Sequence, residues 1–350
     1  MDFRKIYSLE NEIDEFKDSL GRIRSYSIKN NTQTPFLSRA LFDNGFKPTY
    51  PNNKKMCVTI SHDVDYVFDS KPLISSIERL VKSALKLKFH DFAEEFNSSI
   101  IKQQKRKWSL DRIIDFEKNK SVASTYFFLA LKRGDRDFNY HIDQLLPQIK
   151  KLIKNKSEIA FHGGLDAYNC EEKFIDEYKR LQKLLPDVKV NGYRSHFLQY
   201  DHIKTHDILE SLEFDYDGTI GLPDNIGFRN GMCYPFRPIN LKTGDYRNIL
   251  EIPLNVMDVS FFKYMNLNCD SAFHLFVKVF NEVKVLNGVL SILWHNNNLD
   301  SEYEKLYFMI MDFVLKDNQI WIATHSELSQ FWQKNHTKNL ELTLEKLYKL

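Results

Sequence analysis

The run Val58-Thr59-Ile60-Ser61-His62-Asp63-Val64-Asp65-Tyr66 is a β-prone apolar stretch that ends in two carboxylates one residue apart. On a continuing strand, residues i and i+2 share a face, so Asp63 and Asp65 project to one side and His62 to the other. Two like charges that close are unfavourable unless a cation or a shared proton compensates. The strand end is therefore a candidate for metal binding and acid–base chemistry.

Other residues along the chain supply what such a site needs. His162 follows Glu158-Ile159-Ala160-Phe161 and precedes Gly163-Gly164, which presents an imidazole at a tight turn. Asp166, four residues on, shares a face with His162 if the loop turns helically, or else caps the helix that begins near Glu171. Arg194, in Arg194-Ser195-His196-Phe197, either pins a carboxylate through a bidentate hydrogen bond or makes a surface ion pair. His196 is a ligand or lines the pocket. Asp217, in Asp215-Tyr216-Asp217-Gly218-Thr219, either orients Arg194 or forms a plain turn. Tyr168 and the loop Gly227–Phe236, with Arg229 and Tyr234, have the flat rings and polar ends of a sugar-binding wall, or form a packed loop. In Ile292-Leu293-Trp294-His295-Asn296, Leu293 and Trp294 offer an apolar lining, and His295 is placed to protonate a leaving group. His62, His90, His141, His202, His206, His274, His325 and His336 have no role that spacing suggests.

The elements that must position these residues alternate. Strands are expected at 56–60, 122–129, 157–161, 188–193, 249–254, 289–294 and 320–324. Helices of ten to fifteen residues fall between most of them, as in a parallel sheet wrapped by helices. Residues 1–54 read as an N-terminal extension without chemistry of its own and 55–335 as the barrel-like domain. A helical insertion spans about 72–118, and 336–350 forms a C-terminal tail. Most candidate residues lie just past a strand's C-terminal end. In a closed α/β barrel those ends converge on one mouth.

Composition narrows the class. The 350 residues are 43 % hydrophobic and 27 % charged, with 49 Lys+Arg against 47 Asp+Glu. This is a soluble, globular balance with no nucleic-acid footprint and no polybasic membrane patch. The chain opens without the apolar core of an export signal and contains no transmembrane run, so a cytoplasmic location is expected. Cys57, Cys170, Cys233 and Cys269 are scattered, which suits free thiols rather than a disulfide or zinc framework.

The ordered motifs, over roughly residues 55–335, resemble the polysaccharide deacetylase (NodB-homology, carbohydrate esterase) family. Within it, the chain is similar to a divergent intracellular branch associated with bacterial surface-polysaccharide synthesis. The resemblance implies a distorted (β/α)7 barrel with a helical insertion after the first strand. It implies Asp63 as general base, Asp65 and His162 as metal ligands, Arg194 as the arginine that orients the base, and Asp217 as support for that arginine. It implies His295 as general acid and Leu293 as acyl-pocket lining. One position departs from the pattern: where the family has a second metal-binding histidine, four residues after the first, this chain has Asp166. Either Asp166 replaces it, or His196 swings in, or the site binds metal weakly or not at all.

The implied activity is metal-dependent hydrolysis of an N-acyl group, acetyl or formyl, from an amino sugar. The cation is Zn²⁺ first, with Mn²⁺ or Mg²⁺ as harder alternatives. The expected substrate is an intracellular glycan precursor, nucleotide- or lipid-linked. The rival readings are a catalytically retired carbohydrate-binding protein and a hydrolase of another small amide or ester.

Overall fold

The computed structural model describes residues 18–28, 31–68, 109–299 and 301–348. Among the described residues nine parallel strands form one curled sheet: β1 Met56–Val64, β2 Thr125–Leu129, β3 Glu158–Gly163, β4 Gly192–Ser195, β5 Tyr216–Asp217, β6 Leu250–Glu251, β7 Val256–Met257, β8 Val289–Leu293 and β9 Ile320–Ala323. Their lateral order is β6-β5-β4-β3-β2-β1-β8-β7, with β9 pairing β1 off this path.

Strand β1 is the hub. Its first half, Met56–Thr59, pairs with β9, and its end, Ser61–Val64, pairs with β2. Residues Cys57–Ser61 also pair with β8. All nine β1 residues are buried, as expected of a parallel strand covered on both faces. Each large apolar side chain among them contributes about 1.5–3 kcal/mol of burial. The ring closes through one extended segment. Ile252 and Leu254 donate backbone hydrogen bonds to Asp217 and Ile220 beside β5, and Asn255 donates to Ser291 in β8. Of the run expected as one strand at 249–254, only Leu250–Glu251 is strand; β7 follows at Val256–Met257, and the segment hands over from one neighbour to the next. The architecture is the distorted (β/α) barrel anticipated from the sequence.

The helices are α1 Phe36–Asp43, α2 at residues 109–120, α3 Leu146–Lys154, α4 Glu171–Leu184, α5 Lys204–Ser211, α6 Cys269–Val285, α7 Ser301–Leu315, α8 His325–Asn335 and α9 Thr337–Tyr348. Local chemistry marks their starts. Asn268 Oδ1 accepts from the Ser271 amide to cap α6, and Thr324 with Glu327 forms a reciprocal capping box on α8. Among the described residues no helix is long and apolar enough to cross a membrane. All four cysteines are free.

The C-terminal segment carries helix α9, which buries Leu340 and Leu344 against the core. From the N-terminal segment, Leu37, Leu41, Phe46 and Tyr50 join the main core. Apolar residues at helical spacing in both stretches explain this docking. Most of the 72–118 insertion lies outside the described residues.

Candidate active site

β1 runs four residues further than the sequence suggested, through Val64, and this delivers Asp63 and Asp65 to one cleft. His62 points the other way. Its Nε2 lies 2.8 Å from Glu117 Oε1 and its Nδ1 2.9 Å from the Trp294 carbonyl, so it ties α2 and the end of β8 to the carboxylate strand. Glu117 also accepts from Ser124 Oγ and Tyr126 OH. Asn296 clamps the segment after β1: its amide donates to the Asp63 carbonyl, and its Oδ1 accepts from the Asp65 amide.

Asp63 is held on one side only. Arg194 Nη1 donates to its Oδ1 at 2.8 Å, which leaves Oδ2 facing the histidines, 3.6 Å from His162 Nε2. Arg194 is itself buried and fixed by the Gly218 carbonyl and Ser61 Oγ, with its guanidinium 4.1 Å from the Phe127 ring centroid.

Asp65, His162 and His196 form a compact, fully buried cluster. Asp65 Oδ1 lies 3.3 Å from His162 Nε2 and 3.6 Å from His196 Nδ1, and the two ring nitrogens are 3.2 Å apart. The far nitrogens fix the tautomers. His162 Nδ1–H donates to the Arg194 carbonyl, and His196 Nε2–H donates to Asp137 Oδ2. The near nitrogens of both rings face Asp65 Oδ1, a carboxylate oxygen that has no hydrogen-bond partner. Burial works to raise the Asp65 pKa, but the imidazoles of His196, His162 and His295 hold it well below the usual carboxylate range. Burial opposes protonation of His162, yet Asp63 and Asp65 push its pKa up. This arrangement calls for a positive charge at its centre.

Local backbone delivers these side chains. A Cβ on Gly163 would come 2.7 Å from the Tyr193 ring, so only glycine lets β3 and β4 approach this closely behind His162. Just after His196 the chain turns left-handed at Phe197 (φ 58) and Leu198 (φ 55). Non-glycine residues reach that region at a cost of about 1–3 kcal/mol each, and such strain collects at functional sites. The turn swings both His196 and Leu198 into the cleft.

His295 stands across from this cluster, its Nε2 3.6 Å from Asp65 Oδ2. Asp258, wholly buried just past β7, orients it. Asp258 Oδ1 accepts from His295 Nδ1 at 2.7 Å, and Oδ2 accepts from the His295 amide and from Asn298 Nδ2. Burial pulls the His295 pKa down, but Asp258, with Asp65 and Asp63 behind it, pushes it up to about 10. The cleft between these groups holds about 290 Å³, with Leu198, Met257, Val259 and Leu293 as an apolar flank.

With this geometry in hand, likeness to known structures is informative. No family model matches the chain, and no curated protein does. Among solved structures, a Mycobacterium smegmatis protein assigned as a polysaccharide deacetylase superposes at a TM-score of 0.58 with 16 % identity, covering 83 % of this chain and 94 % of that one. A second assigned polysaccharide deacetylase, from Pseudomonas aeruginosa PAO1, gives 0.55 at 14 % identity, covering 85 % of this chain and 98 % of that one. The chain has the polysaccharide deacetylase fold. PuuE allantoinase shares it, at 0.58 and 14 % identity, covering 85 % of this chain and 97 % of that one.

On this deacetylase fold, several expected residues stand elsewhere. Asp166 is 42 % exposed and paired with Arg136, so it is not brought to the histidine cluster; the loop after β3 does not turn helically there. Asp217 makes no hydrogen bond to Arg194. Its Oδ1 is taken by Thr219, and Arg194 is served by Ser61 and the Gly218 carbonyl instead. Tyr168 offers its carbonyl to Thr205 and does not line the cleft. Arg229 and Tyr234 are buried away from it; Tyr234 OH donates to the Leu286 carbonyl. Their loop is covered by the N-terminal segment, where Phe228 donates to the Thr32 carbonyl and Leu37 to that of Gly231. Trp294 is buried against Tyr307, with its indole N–H donating to the Asn298 carbonyl. It alternates with Leu293, which does line the cleft.

Sequence reasoning missed Asp137 and Asp258, the carboxylates behind His196 and His295. Asp137 lies in an irregular turn, and Asp258 opens the helical turn that follows β7. The signal that could have found Asp258 is the short apolar run Ile252–Met257 ending in an acid, the same pattern that marked Asp63.

Proposed function

We propose that the protein is a metal-dependent hydrolase that removes an N-acyl group, acetyl or formyl, from an amino sugar of a glycan precursor. One observation carries this reading: a buried Asp65–His162–His196 face flanked in the same cleft by a held carboxylate, Asp63, and a held imidazole, His295.

The donor set fits a divalent cation. A tetrahedral centre with bonds of ~2.1 Å has ligand–ligand edges of about 3.4 Å, and the three edges here are 3.2, 3.3 and 3.6 Å. The buried Asp65 Oδ1 has no hydrogen-bond partner, and the near nitrogens of both histidines face it. One carboxylate and two imidazoles suit Zn²⁺, and Mn²⁺ is the harder alternative. When bound, such a cation polarises the acyl carbonyl and acidifies a water from ~15.7 toward ~7.

The chain's own residues do the rest. Asp63 accepts the proton of the attacking water at Oδ2, while Arg194 fixes Oδ1 and so aims the free lone pairs into the cleft. His295, charged at neutral pH through Asp258, gives its Nε2 proton to the departing sugar nitrogen. Leu198, Met257, Val259 and Leu293 seat the acyl group and exclude stray water.

The test is release of acetate or formate from N-acyl amino sugars, followed with and without chelator. Chelator-sensitive release that falls at least about 100-fold in Asp63→Asn supports the reading; release by Asp63→Asn at close to the parent rate overturns it. Hydrolysis of another small amide is the second reading, favoured by the equal likeness to an allantoinase. Allantoin cleaved in preference to every acyl sugar would establish it.

A further inference from the structure

Both signs of charge line the cleft: Asp63 and Asp65, and with them Arg22 and Lys263. Arg22 comes from the segment expected to carry no chemistry, yet it is only 7 % exposed and built into place. Its Nε and Nη2 both lie 2.8 Å from Asp18 Oδ2, Nη2 also reaches Tyr264 OH at 3.4 Å, and Nη1 reaches the Phe197 carbonyl at 3.5 Å. The same Asp18 oxygen also takes Arg24 Nε at 3.0 Å, so the carboxylate is shared by two guanidiniums.

Lys263 sits on a π-helical turn, Ser260–Tyr264, that begins two residues after Asp258. Such turns are rare and concentrate at functional sites. Lys263 is exposed and has no carboxylate partner among the described residues; its Nζ lies 5.5 Å from the Tyr264 ring centroid. A neutral sugar needs only uncharged donors. A buried arginine and an unpaired lysine lining the same cleft instead suit an anionic oxygen cluster.

We propose that Arg22 and Lys263 form an anion subsite, so that the substrate is an acylated amino sugar bearing a phosphate or carboxylate group. The proposal rests on the deacylase reading for the sugar, but not for the anion. Tyr264 orients Arg22 and lies beneath Lys263, coupling the two cations to the segment that also carries Asp258.

The experiment is calorimetric binding to full-length Asp63→Asn protein, in which turnover is strongly slowed. Three probes are compared: N-acetylglucosamine, its 1-phosphate, and the corresponding N-acetylated uronic acid. At least one anionic probe should bind at least tenfold tighter than the neutral sugar, and the one preferred names the source of the charge. Lys263→Glu, a change at an exposed position, should reduce that preference at least fivefold, as should Arg22→Gln. Equal affinity for all three probes overturns the subsite, and so does a preference that survives Lys263→Glu. Acyl release without anion preference would sink only this inference. Anion preference in a protein that never releases acyl groups would sink only the deacylase reading.

Discussion

His196 Nδ1 lies 3.2 Å from His162 Nε2, although the two residues come from the ends of different strands and are 34 positions apart. Each ring's other nitrogen is already committed, to Asp137 and to the Arg194 carbonyl. The two histidines therefore turn their near nitrogens toward one another and toward Asp65. The chain obtains a two-histidine, one-carboxylate face without two histidines on consecutive turns.

The carboxylate behind His196 should matter for metal affinity. Asp137→Asn keeps the size of the side chain but weakens the hold on the His196 tautomer. Loss of such an outer partner typically lowers metal affinity about 10- to 100-fold. Competition with a chelating dye should show a weakening in this range, with the circular dichroism spectrum unchanged. An unchanged affinity would mean that His196 does not depend on Asp137.

The base assignment predicts a rate effect. Asp63→Asn should lower kcat by about 10²- to 10⁴-fold, the usual contribution of a positioned acid or base. KM should change much less, because Asp63 acts on the water. Steady-state kinetics on an acyl amino sugar would check this, and a loss confined to KM would contradict it.

The acid assignment predicts a dependence on the leaving group. His295→Ala and Asp258→Asn should both slow release of a sugar amine, which leaves only when protonated. An activated aryl ester needs no such proton and should lose far less. A uniform loss on both substrates would reduce His295 to a structural role.

Stability should fall as pH rises through the weakly acidic range. Burial pushes the Asp217 carboxyl up to about 7, from an ordinary value near 3.8. The folded protein thus holds a proton that the unfolded chain releases between those values, so stability from this group is full below pH 3.8 and is lost toward pH 7. Asp217→Asn should raise the melting temperature at pH 7.5 relative to the parent and leave a smaller difference near pH 4.5. A lower melting temperature at pH 7.5 would show that Asp217 works there as a carboxylate.

Much of this was legible in the chain, for stated physical reasons. The alternation of apolar strands and helices identifies a parallel barrel, and the convergence of strand ends brings Asp63, Asp65, His162, Arg194, His196 and His295 together. Period-two geometry correctly turned His62 away. What was illegible depended on partners remote in sequence. Tyr234 and Arg229 look like a binding wall until residues 31–38 cover their loop. Arg22 looks like part of an idle extension until it reaches the cleft. The spacing of Asp166 from His162 suggested a shared face that the loop conformation does not provide.

Metal analysis of three purified proteins tests the central claim most directly: the parent, Asp166→Ala and His196→Ala. The parent and Asp166→Ala should each retain about one divalent ion per chain after gel filtration, and His196→Ala should lose it. Retention by His196→Ala together with loss by Asp166→Ala would contradict the ligand set on which the mechanism is built.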